Sequence, residues 1–457
     1  MGEGVAARSF QFLRNGNAVP DILDWDKGIE TARQAISEAL NAKNVAFLLG
    51  AGCSSLVKDN IEVGIPTMAP LAKEFCNAAA AVRAAEGSDD HLGGDSGQAA
   101  DILDPNDDLL GGAEEASAEP PTWAPNADEL AVLDKLGVDL SGDYSRNLER
   151  LMEVLFAQRF VLRLSTVKSH AGILVHLEGL IRKVQDFLWE RVTKGRFSDD
   201  DTSVTELYEK FYRKLVLRDR ALPRPWVFTT NYDHFNEVAM DRLGIPYANG
   251  FSGVVERRFN PASFRYALAE QLDLASRKWS AVDAFVYLAK LHGSVSWTED
   301  DHGLFPIREV WPPGDAGRML IYPTPAKQNS SLGSPYSDLF REFQGRIVRE
   351  QSVLFTAGYA FADEHLNNII YQALTIPTFR LVIFAAPDAA GEIAKLRALQ
   401  DSRIWIIGGD GPVEKTWAHY FDVIVEQFMP QRPGDRIDDA VRRVLSDLAP
   451  TKKEQAA

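Results

Sequence analysis

The amino-acid sequence predicts an α/β protein with a doubly wound, parallel Rossmann-like sheet, a large helical insertion and no zinc ribbon. Short apolar runs without polar alternation recur along the chain, and such runs are typical of parallel strands that are covered on both faces. Segments with helical spacing of apolar residues separate most of these runs, and this alternation is typical of doubly wound sheets. A long middle stretch, residues 147–221, has helical spacing without a strand signal, which predicts the helical insertion.

The first part of the sheet domain is predicted at residues 25–85, after a polar N-terminal leader of residues 1–24. Apolar residues at helical spacing in DWDKGIETARQAISEALNAKN predict a helix, which leads into a first strand at residues 45–49. The chain then turns near Gly64, and a second helix is expected to begin near Leu71.

Residues 86–146 are predicted to form an acidic, flexible insertion. Between residues 86 and 125 the chain is rich in Gly, Ser, Pro and acidic residues, a composition typical of a mobile loop. Thirteen carboxylates lie between Glu86 and Glu129, a stretch without any Lys or Arg. The other 52 acidic and 49 basic residues nearly balance, so the net charge of −16 is concentrated in this window. A balance of this kind argues against direct binding of nucleic acid.

The second part of the sheet domain is predicted at residues 222–430, followed by a C-terminal tail of residues 431–457. Apolar strand-like runs return in this part of the chain. They are WVFTTN (226–231), AFVYLAKLHG (284–293), RMLIYP (318–323), SVLFTAG (352–358), RLVIFAA (380–386) and RIWIIGG (403–409).

The cysteine content limits the chemistry of the protein. With only Cys53 and Cys76, the sequence supplies neither a four-cysteine zinc site nor a disulfide framework, and we expect no metal site. The N-terminal residues lack the apolar core of a signal peptide, and no apolar run reaches the length of a membrane span. A cytoplasmic protein without membrane contact is therefore expected.

The stretch NVAFLLGAGCSS (44–55) runs from a buried strand directly into two glycines. Because Gly50 and Gly52 lack a Cβ, the backbone can turn sharply and bring main-chain amides close to a ligand, commonly a phosphate. The stretch lacks the Gly-Lys-Ser/Thr of a Walker loop, and Ser55 stands where a dinucleotide fingerprint has its third glycine. A tight strand-to-helix turn without a ligand remains the alternative.

Further candidate residues follow the other predicted strands. In open parallel sheets, ligands bind beyond the carboxyl ends of the strands, near the point where the strand order reverses. Polar residues or glycines stand at these ends in four segments, residues 50–52, 229–233, 291–294 and 358–363. Each has a structural alternative, since Asp233 and Asp363 are also suited to capping helices and His292 to a hydrogen bond at a strand end.

Taken together and in this order, the segments resemble the motifs of the sirtuin family. Residues 50–54 match its GAG-x-S loop, residues 230–233 match its Q-N-x-D element with Thr in place of Gln, and His292-Gly293 matches its catalytic H-G. Residues 358–363 are a looser counterpart of its adenosine-binding loop.

The resemblance covers about residues 25–85 and 222–410. The His-Gly-Ser and G-Y-x-x-x-D versions of these motifs are most similar to bacterial sirtuin-like effectors of antiphage defence. Those effectors destroy NAD⁺ and often act with a HerA-type hexameric ATPase.

The resemblance implies NAD⁺ as the substrate and assigns a role to each matched residue. Asn231 orients the ribose or an attacking water, Asp233 holds the nicotinamide carboxamide, and His292 acts as general base, a role that suits a side chain titrating near neutral pH. The residues that contact the cofactor are then Gly50, Ala51, Gly52, Cys53, Ser54, Thr230, Tyr232, Gly358 and Asp363.

Two departures from the family favour hydrolysis over protein deacylation. The chain lacks the four zinc cysteines of the small domain that helps to form the acyl-lysine channel, and Thr230 replaces the glutamine beside the catalytic asparagine. Water is then the expected acceptor, and the products are nicotinamide and ADP-ribose. A protein deacylase or ADP-ribosyltransferase, and a non-catalytic sensor of NAD⁺ or ADP-ribose, remain as alternatives.

The helical insertion also predicts assembly. Residues 147–217 carry more large apolar side chains than a layer covering the sheet requires, which favours a homo-oligomer or the ATPase partner implied by the resemblance. The acidic residues near the insertion would attract a basic partner surface. A self-contained helical subdomain is the alternative.

Overall fold

The computed structural model describes most of the two predicted parts of the sheet domain and most of the helical insertion. The described residues are 10–14, 25–58, 61–87, 121–194, 201–273, 278–299, 306–313, 318–320, 334–413 and 416–430. The tail of residues 431–457, most of the leader and residues 88–120 of the acidic insertion lie outside the described residues.

The strands alternate with helices along much of the chain. The strands are β1 (Phe10–Arg14), β2 (Asn44–Leu49), β3 (Ser55–Lys58), β4 (Ile61–Gly64), β5 (Trp226–Thr229), β6 (Tyr247–Ala248), β7 (Phe251–Ser252), β8 (Arg257–Phe259), β9 (Ala269–Asp273), β10 (Lys278–Ala281), β11 (Val286–Lys290), β12 (Gly293–Glu299), β13 (Ile307–Glu309), β14 (Arg318–Leu320), β15 (Ser352–Ala357), β16 (Arg380–Phe384) and β17 (Ile404–Gly409).

The helices are α1 (Trp25–Leu40), α2 (Met68–Gly87), α3 (Ala127–Lys135), α4 (Leu148–Leu164), α5 (Lys168–Lys194), α6 (Ser203–Leu215), α7 (Phe235–Leu243), α8 (Tyr336–Ile347), α9 (Glu364–Leu374) and α10 (Gly391–Ala398). Short 3-10 turns occur at Ala51–Cys53, Asp143–Arg146 and Pro261–Arg265, and a final helical segment comprises Phe421–Val423 and Ile424–Phe428.

The central sheet has eight strands in the order β1-β17-β16-β15-β2-β5-β11-β6. Its strand pairs are parallel except at one edge, where β1 runs antiparallel to β17. From β2 the chain adds β5 and β11 on one side and later adds β15, β16 and β17 on the other. The strand order therefore reverses between β2 and β15, and the predicted doubly wound, Rossmann-like fold is confirmed.

Helices cover both faces of this sheet. On one face, Phe47 of β2 packs edge-on against Phe211 of α6 at 5.2 Å between ring centroids, within a core that also contains residues of α1 and α7. On the other face, Phe228 of β5 packs against Phe343 of α8 at 4.8 Å, in a core shared with α9. A strand that is buried on both faces has no solvent-exposed face, so polar residues do not alternate with apolar ones along it. This explains the unbroken apolar runs in the sequence.

A second sheet was not predicted from the sequence. It has five strands in the order β14-β12-β13-β8-β7, and its four strand pairs are antiparallel. The run at residues 318–323 was predicted as a strand of the parallel series, which is wrong, because β14 pairs with β12 in this second sheet. Strand β1 lies inside the predicted leader and was also not predicted.

A third core forms within the helical part of the chain. It is built by α2, α3, α4 and α5, whose buried residues include Phe75, Leu133, Leu151 and Phe187. Helix α6, by contrast, packs on the sheet although it lies inside the predicted helical insertion. The helical core draws on chain segments on both sides of the boundaries predicted at residues 85 and 146.

The described end of the acidic insertion is packed rather than loose. Trp123 is buried against Phe187 at 4.5 Å between ring centroids. Asn126 and Glu129 form a reciprocal capping box at the start of α3, and Glu129 pairs with Lys183 of α5 at 2.9 Å. Residues 121–146 therefore belong to the helical core.

Candidate active site

The predicted site segments gather at the carboxyl edge of the central sheet, where the strand order reverses. The loop after β2 and the loop after β15 lie directly against each other, and the amide of Gly52 donates a hydrogen bond of 3.0 Å to the carbonyl oxygen of Gly358. The loops after β5 and β11 stand beside them, because β5 and β11 are the next strands of the sheet. This is the position at which doubly wound sheets bind their ligands.

Glycine is required where the two loops cross. Gly358 has a φ of +59°, and a Cβ there would lie 2.6 Å from the amide nitrogen of Cys53. A Cβ on Gly52 would lie 2.9 Å from the Cα of Gly358. The glycines thus permit a close approach between two stretches of backbone, whereas the sequence predicted an approach between backbone and ligand.

Most amides of the glycine loop are already hydrogen-bonded within the protein. Four donate to backbone carbonyl oxygens at 2.9–3.0 Å, namely those of Gly50, Gly52, Cys53 and Ser54. In this conformation these four amides are hydrogen-bonded within the protein, and the binding of a pyrophosphate by the loop stays a prediction. Ala51, by contrast, is exposed and begins the 3-10 turn, a position whose amide has no partner within the turn itself.

Asn231 joins the loop after β5 to the glycine loop. Its side-chain nitrogen Nδ2 donates to the carbonyl oxygen of Gly50 at 2.9 Å and to Oγ of Ser54 at 2.8 Å. Because a carbonyl oxygen can only accept, the amide is oriented with Nδ2 toward the loop and its oxygen Oδ1 away from it. Asn231 is 7% exposed, and both hydrogens of its amide nitrogen are used in these two bonds.

Asp233 lies next to Asn231 and is bonded on both sides. Oδ2 accepts a hydrogen bond of 2.7 Å from Oγ of Ser54, and Oδ1 accepts one of 3.1 Å from the Phe235 amide at the start of α7. The side chain therefore closes a local turn just before α7, whose N-cap residue is His234, so Asp233 is not itself the helix cap that was the alternative to a role in binding. It also fixes the Ser54 hydroxyl, which Asn231 uses as an acceptor.

His292 and Asp363 form a direct pair across the site. Nε2 of His292 lies 2.9 Å from Oδ2 of Asp363, and each side chain is 8% exposed. The other oxygen of Asp363 accepts hydrogen bonds from the amides of His365 at 2.9 Å and Leu366 at 3.1 Å, so Asp363 caps α9. The sequence assigned Asp363 to the cofactor, and the structure directs its carboxylate to the candidate base.

The remaining predicted site residues support the loop through their backbone. The amide of Thr230 donates to the carbonyl oxygen of Leu49 at 3.2 Å, which holds the end of β5 against the end of β2. The carbonyl oxygen of Tyr232 accepts from the amide of Val295 at 3.1 Å. These bonds set the backbone of residues 230–232 against two neighbouring strands.

Sequence reasoning missed Lys290, a buried lysine at the end of β11. It is 3% exposed, and its Nζ pairs with Oε1 of Glu237 at 2.9 Å and donates to Oγ of Ser294 at 2.9 Å. Nζ also donates to the carbonyl oxygen of Asp233. Lys290 therefore joins the loop after β5 to the turn that carries His292. A lysine inside an otherwise apolar run, in AFVYLAKLHG, was the signal that could have revealed it.

Burial alters the titration of the groups around Lys290. Desolvation raises the pKa of Glu237 to about 7, although the neighbouring Lys290 opposes this shift. Burial, assisted by the charge of Lys290, lowers the pKa of His234, so its imidazole is neutral at neutral pH. His234 Nε2 lies 3.3 Å from Oγ of Ser294.

Neither cysteine has the properties of a nucleophile. Cys53 is fully buried and its thiol donates to the carbonyl oxygen of Ala357 at 3.2 Å. Burial, with the charge of Asp233, raises its pKa well above the ordinary value for a thiol. Burial also raises the pKa of Cys76, to about 11. Cys53 lies in the core beside the sheet and Cys76 in the helical core.

The described residues also bear on metal binding and membrane contact. Within the described ranges, no group of three or more His, Cys, Asp or Glu side chains is arranged to hold a metal ion. None of the helices in the described ranges is both long and apolar enough to cross a membrane. That the protein needs no metal stays a prediction.

The comparisons with known proteins agree with the sheet and with the resemblance to sirtuins. No curated protein matches the chain. Residues 225–407 match the family model described as the SIR2-like domain. This range includes Asn231, His292 and Asp363, and strand β2 brings the glycine loop to them from outside it. Residues 225–407 are thus similar to the SIR2-like domain, which supports a sirtuin-like relationship for this part of the chain.

Proposed function

We propose that the protein hydrolyses NAD⁺ at the bond between nicotinamide and ribose. One observation supports this most directly: four segments far apart in the sequence meet at the reversal point of the sheet, and they bring an amide, Asn231, and a paired imidazole, His292, to the same edge of the sheet. The match of residues 225–407 to the SIR2-like domain supports NAD as the ligand.

The reaction makes modest chemical demands on the protein. Nicotinamide leaves as a neutral molecule while the ribose takes on oxocarbenium character, so that positioning contributes much of the rate enhancement. Water adds to the ribose carbon and gives up one proton, and the products are ADP-ribose, nicotinamide and a proton. In this proposal Oδ1 of Asn231 accepts a hydrogen bond from a ribose hydroxyl or from the water, and His292 takes the proton.

The structure changes the best choice of test variant. Asn231→Ala removes two hydrogen bonds that hold the glycine loop, at Gly50 and Ser54, so it disturbs binding as well as turnover. Among the described residues, the His292 side chain makes no hydrogen bond to a backbone group, and His292 lies in the turn between β11 and β12. His292→Ala is therefore the cleaner substitution.

The test is to mix the purified chain with NAD⁺ and measure released nicotinamide. We expect turnover in the wild type and a loss of about a hundredfold or more in His292→Ala, the usual scale for removing a general base. His365→Ala is a matched control, because His365 is exposed and contacts the ring of Phe340. Unchanged turnover in a folded His292→Ala protein would remove His292 from the mechanism.

The same assay separates the alternatives. Nicotinamide release that requires an added protein and labels it points to deacylation or ADP-ribosyl transfer. NAD⁺ or ADP-ribose binding by calorimetry without any nicotinamide release points to a sensor.

We also propose that the protein assembles through the hairpin of α4 and α5. Of the large apolar residues in these helices most are buried in the helical core, but a group at the hairpin end is exposed. It comprises Phe160 (66%), Val161 (61%), Leu164 (69%), Val167 (51%) and Val175 (64%). Exposed apolar groups of this kind are common at interfaces. Light scattering of the wild type and of Phe160→Ser tests the proposal, which fails if both are monomers.

The role in antiphage defence and a HerA-type ATPase as partner rest on the resemblance to sirtuin-like effectors, and the cytoplasmic location rests on the cysteine content and the lack of a signal-peptide pattern. All three remain proposals. Turnover measured with and without such an ATPase tests the proposed partner.

A further inference from the structure

We propose that Asp363 is a positioning residue that fixes His292 in the tautomer with hydrogen on Nε2, so that Nδ1 is the nitrogen that accepts the proton. The inference deepens the proposed hydrolysis and rests on it only for the final step. It differs from the sequence-based assignment, which placed Asp363 on the cofactor.

The surroundings of Asp363 favour its ionised form. Oδ1 accepts two amide hydrogen bonds, from His365 and Leu366, in the first turn of α9. These amides are otherwise unpaired donors of the helix, and the positive end of the helix dipole stabilises a negative charge at this place. A carboxylate held in this way is an acceptor only.

The distance between the two side chains then determines the tautomer. Oδ2 of Asp363 lies 2.9 Å from Nε2 of His292, within the range of a charge-assisted hydrogen bond. Because Oδ2 can only accept, Nε2 must carry the hydrogen. In a neutral imidazole the second nitrogen, Nδ1, then holds the free electron pair.

The pair also assists the proton transfer itself. When Nδ1 takes the proton from water, the ring becomes an imidazolium, whose positive charge lies next to the carboxylate of Asp363. With both side chains 8% exposed, solvent weakens this attraction only slightly. Asp363 thus orients the ring before the reaction and stabilises its charge afterwards, without contacting the substrate.

A direct measurement of the tautomer tests the inference without any turnover. In protein labelled with ¹⁵N in histidine, at a pH where His292 is neutral, we expect Nε2 to give the shift of a protonated nitrogen and Nδ1 that of an unprotonated one. The signals of His292 are identified by their loss in His292→Gln. A wild-type ring with hydrogen on Nδ1 would overturn the inference.

Asp363→Asn is the informative substitution. It preserves the size of the side chain and its cap on α9, but it reverses the direction of the hydrogen bond to Nε2 of His292. The Asn oxygen can still accept from the amides of α9, since Asn is among the best capping residues. Its NH₂ group must donate to Nε2 of His292, and this forces the hydrogen onto Nδ1. We expect the ¹⁵N pattern to switch and kcat for nicotinamide release to fall by about a hundredfold, close to the loss expected for His292→Ala, with KM changed little.

Asp363→Ser separates the cap from the pair. Serine also caps helices but is too short to reach His292, so the tautomer becomes mixed and we expect a smaller loss of kcat than in Asp363→Asn. Equal kcat in wild type and folded Asp363→Asn would overturn the positioning role. If the tautomer switches in Asp363→Asn but the wild type shows no NAD⁺ turnover, the inference about the His292–Asp363 pair is supported and the proposed hydrolysis is refuted. The two claims can therefore be refuted independently.

Discussion

Lys290 and Glu237 form an ion pair of 2.9 Å with side chains only 3% and 8% exposed. The pair joins the last residue of β11 to α7, and Lys290 adds a hydrogen bond to the carbonyl oxygen of Asp233. Oε2 of Glu237 is buried and has no hydrogen-bond partner within the described part of the chain. A buried charge pair stabilises a protein little when intact, but the loss of one partner leaves the other charged and desolvated.

We expect Lys290→Met to destabilise the protein strongly, by about 3–5 kcal/mol, because Glu237 then loses its counter-charge in the core. Urea unfolding followed by circular dichroism measures the effect. Lys395→Met is the matched control, since Lys395 pairs with Glu392 at 2.8 Å but is 72% exposed, and such surface pairs contribute about 0–1 kcal/mol. Equal losses in the two variants would show that burial of Lys290 is unimportant.

The raised pKa of Glu237 predicts a dependence of stability on pH. Burial raises its pKa to about 7 in the folded protein, above its value in the unfolded chain, so the folded state binds the proton more tightly. The stabilisation of the folded protein by protonated Glu237 is fully present below the pKa that Glu237 has in the unfolded chain. It is lost as the pH rises through about 7. We therefore expect the unfolding free energy of the wild type to fall relative to Glu237→Gln between about pH 4.5 and 7. Parallel stability curves for the two proteins over this range would contradict the shift.

Ser54 supports the two polar residues of the loop after β5. Its hydroxyl donates to Asp233 at 2.7 Å and accepts from Asn231 at 2.8 Å. Ser54→Ala leaves a buried carboxylate oxygen and an amide hydrogen unpaired, which we expect to cost about 2–4 kcal/mol. Thermal unfolding measures the loss. Ser55→Ala, at a half-buried position one residue away, should change stability by less than about 0.5 kcal/mol. If Ser54→Ala and Ser55→Ala have the same melting temperature, the hydrogen bonds of Ser54 are not important for the stability of the fold.

Gly358 is expected to tolerate no side chain. In Gly358→Ala the new Cβ would lie 2.6 Å from the amide nitrogen of Cys53, at a φ of +59°, so the crossing of the two loops must open. We expect a marked fall in melting temperature and a loss of NAD⁺ binding by calorimetry. In Gly345→Ala, inside α8, no atom lies within 4 Å of the new Cβ, and this control should gain about 0.5–1 kcal/mol. A Gly358→Ala protein as stable as this control would refute the account of the crossing.

The sequence predicted the central sheet well because of the physics of parallel strands. Strands such as β2, β15 and β16 are buried on both faces, so each is an apolar run that stands out against the amphipathic helices around it. The second sheet escaped prediction because strands such as β7 and β13 contain only two or three residues. Runs of that length carry no recognisable period.

For the candidate site, the sequence revealed which residues stand at strand ends but not which atoms meet. Asn231, His292 and Asp363 were all selected, yet the pairing of His292 with Asp363 depends on β11 and β15 lying on opposite sides of β2 and β5. Loop conformation, rather than strand order, decided that the amides of residues 50–54 bond mostly to backbone. Lys290 was missed because one charged residue in an apolar run is usually attributed to a strand end.

The chain enters the helical core and leaves it at two neighbouring points beside the central sheet. The chain departs after Gly64 and returns at α6, where a Cβ on Gly64 would lie 2.8 Å from the side chain of Val204. Lys58 also bonds to Ser203 at 3.0 Å. A segment whose two ends are held together can be lengthened, shortened or exchanged without shifting the register of the strands around it. The intervening residues are therefore the part of this chain that can acquire new partners while the chemistry at the sheet edge stays the same.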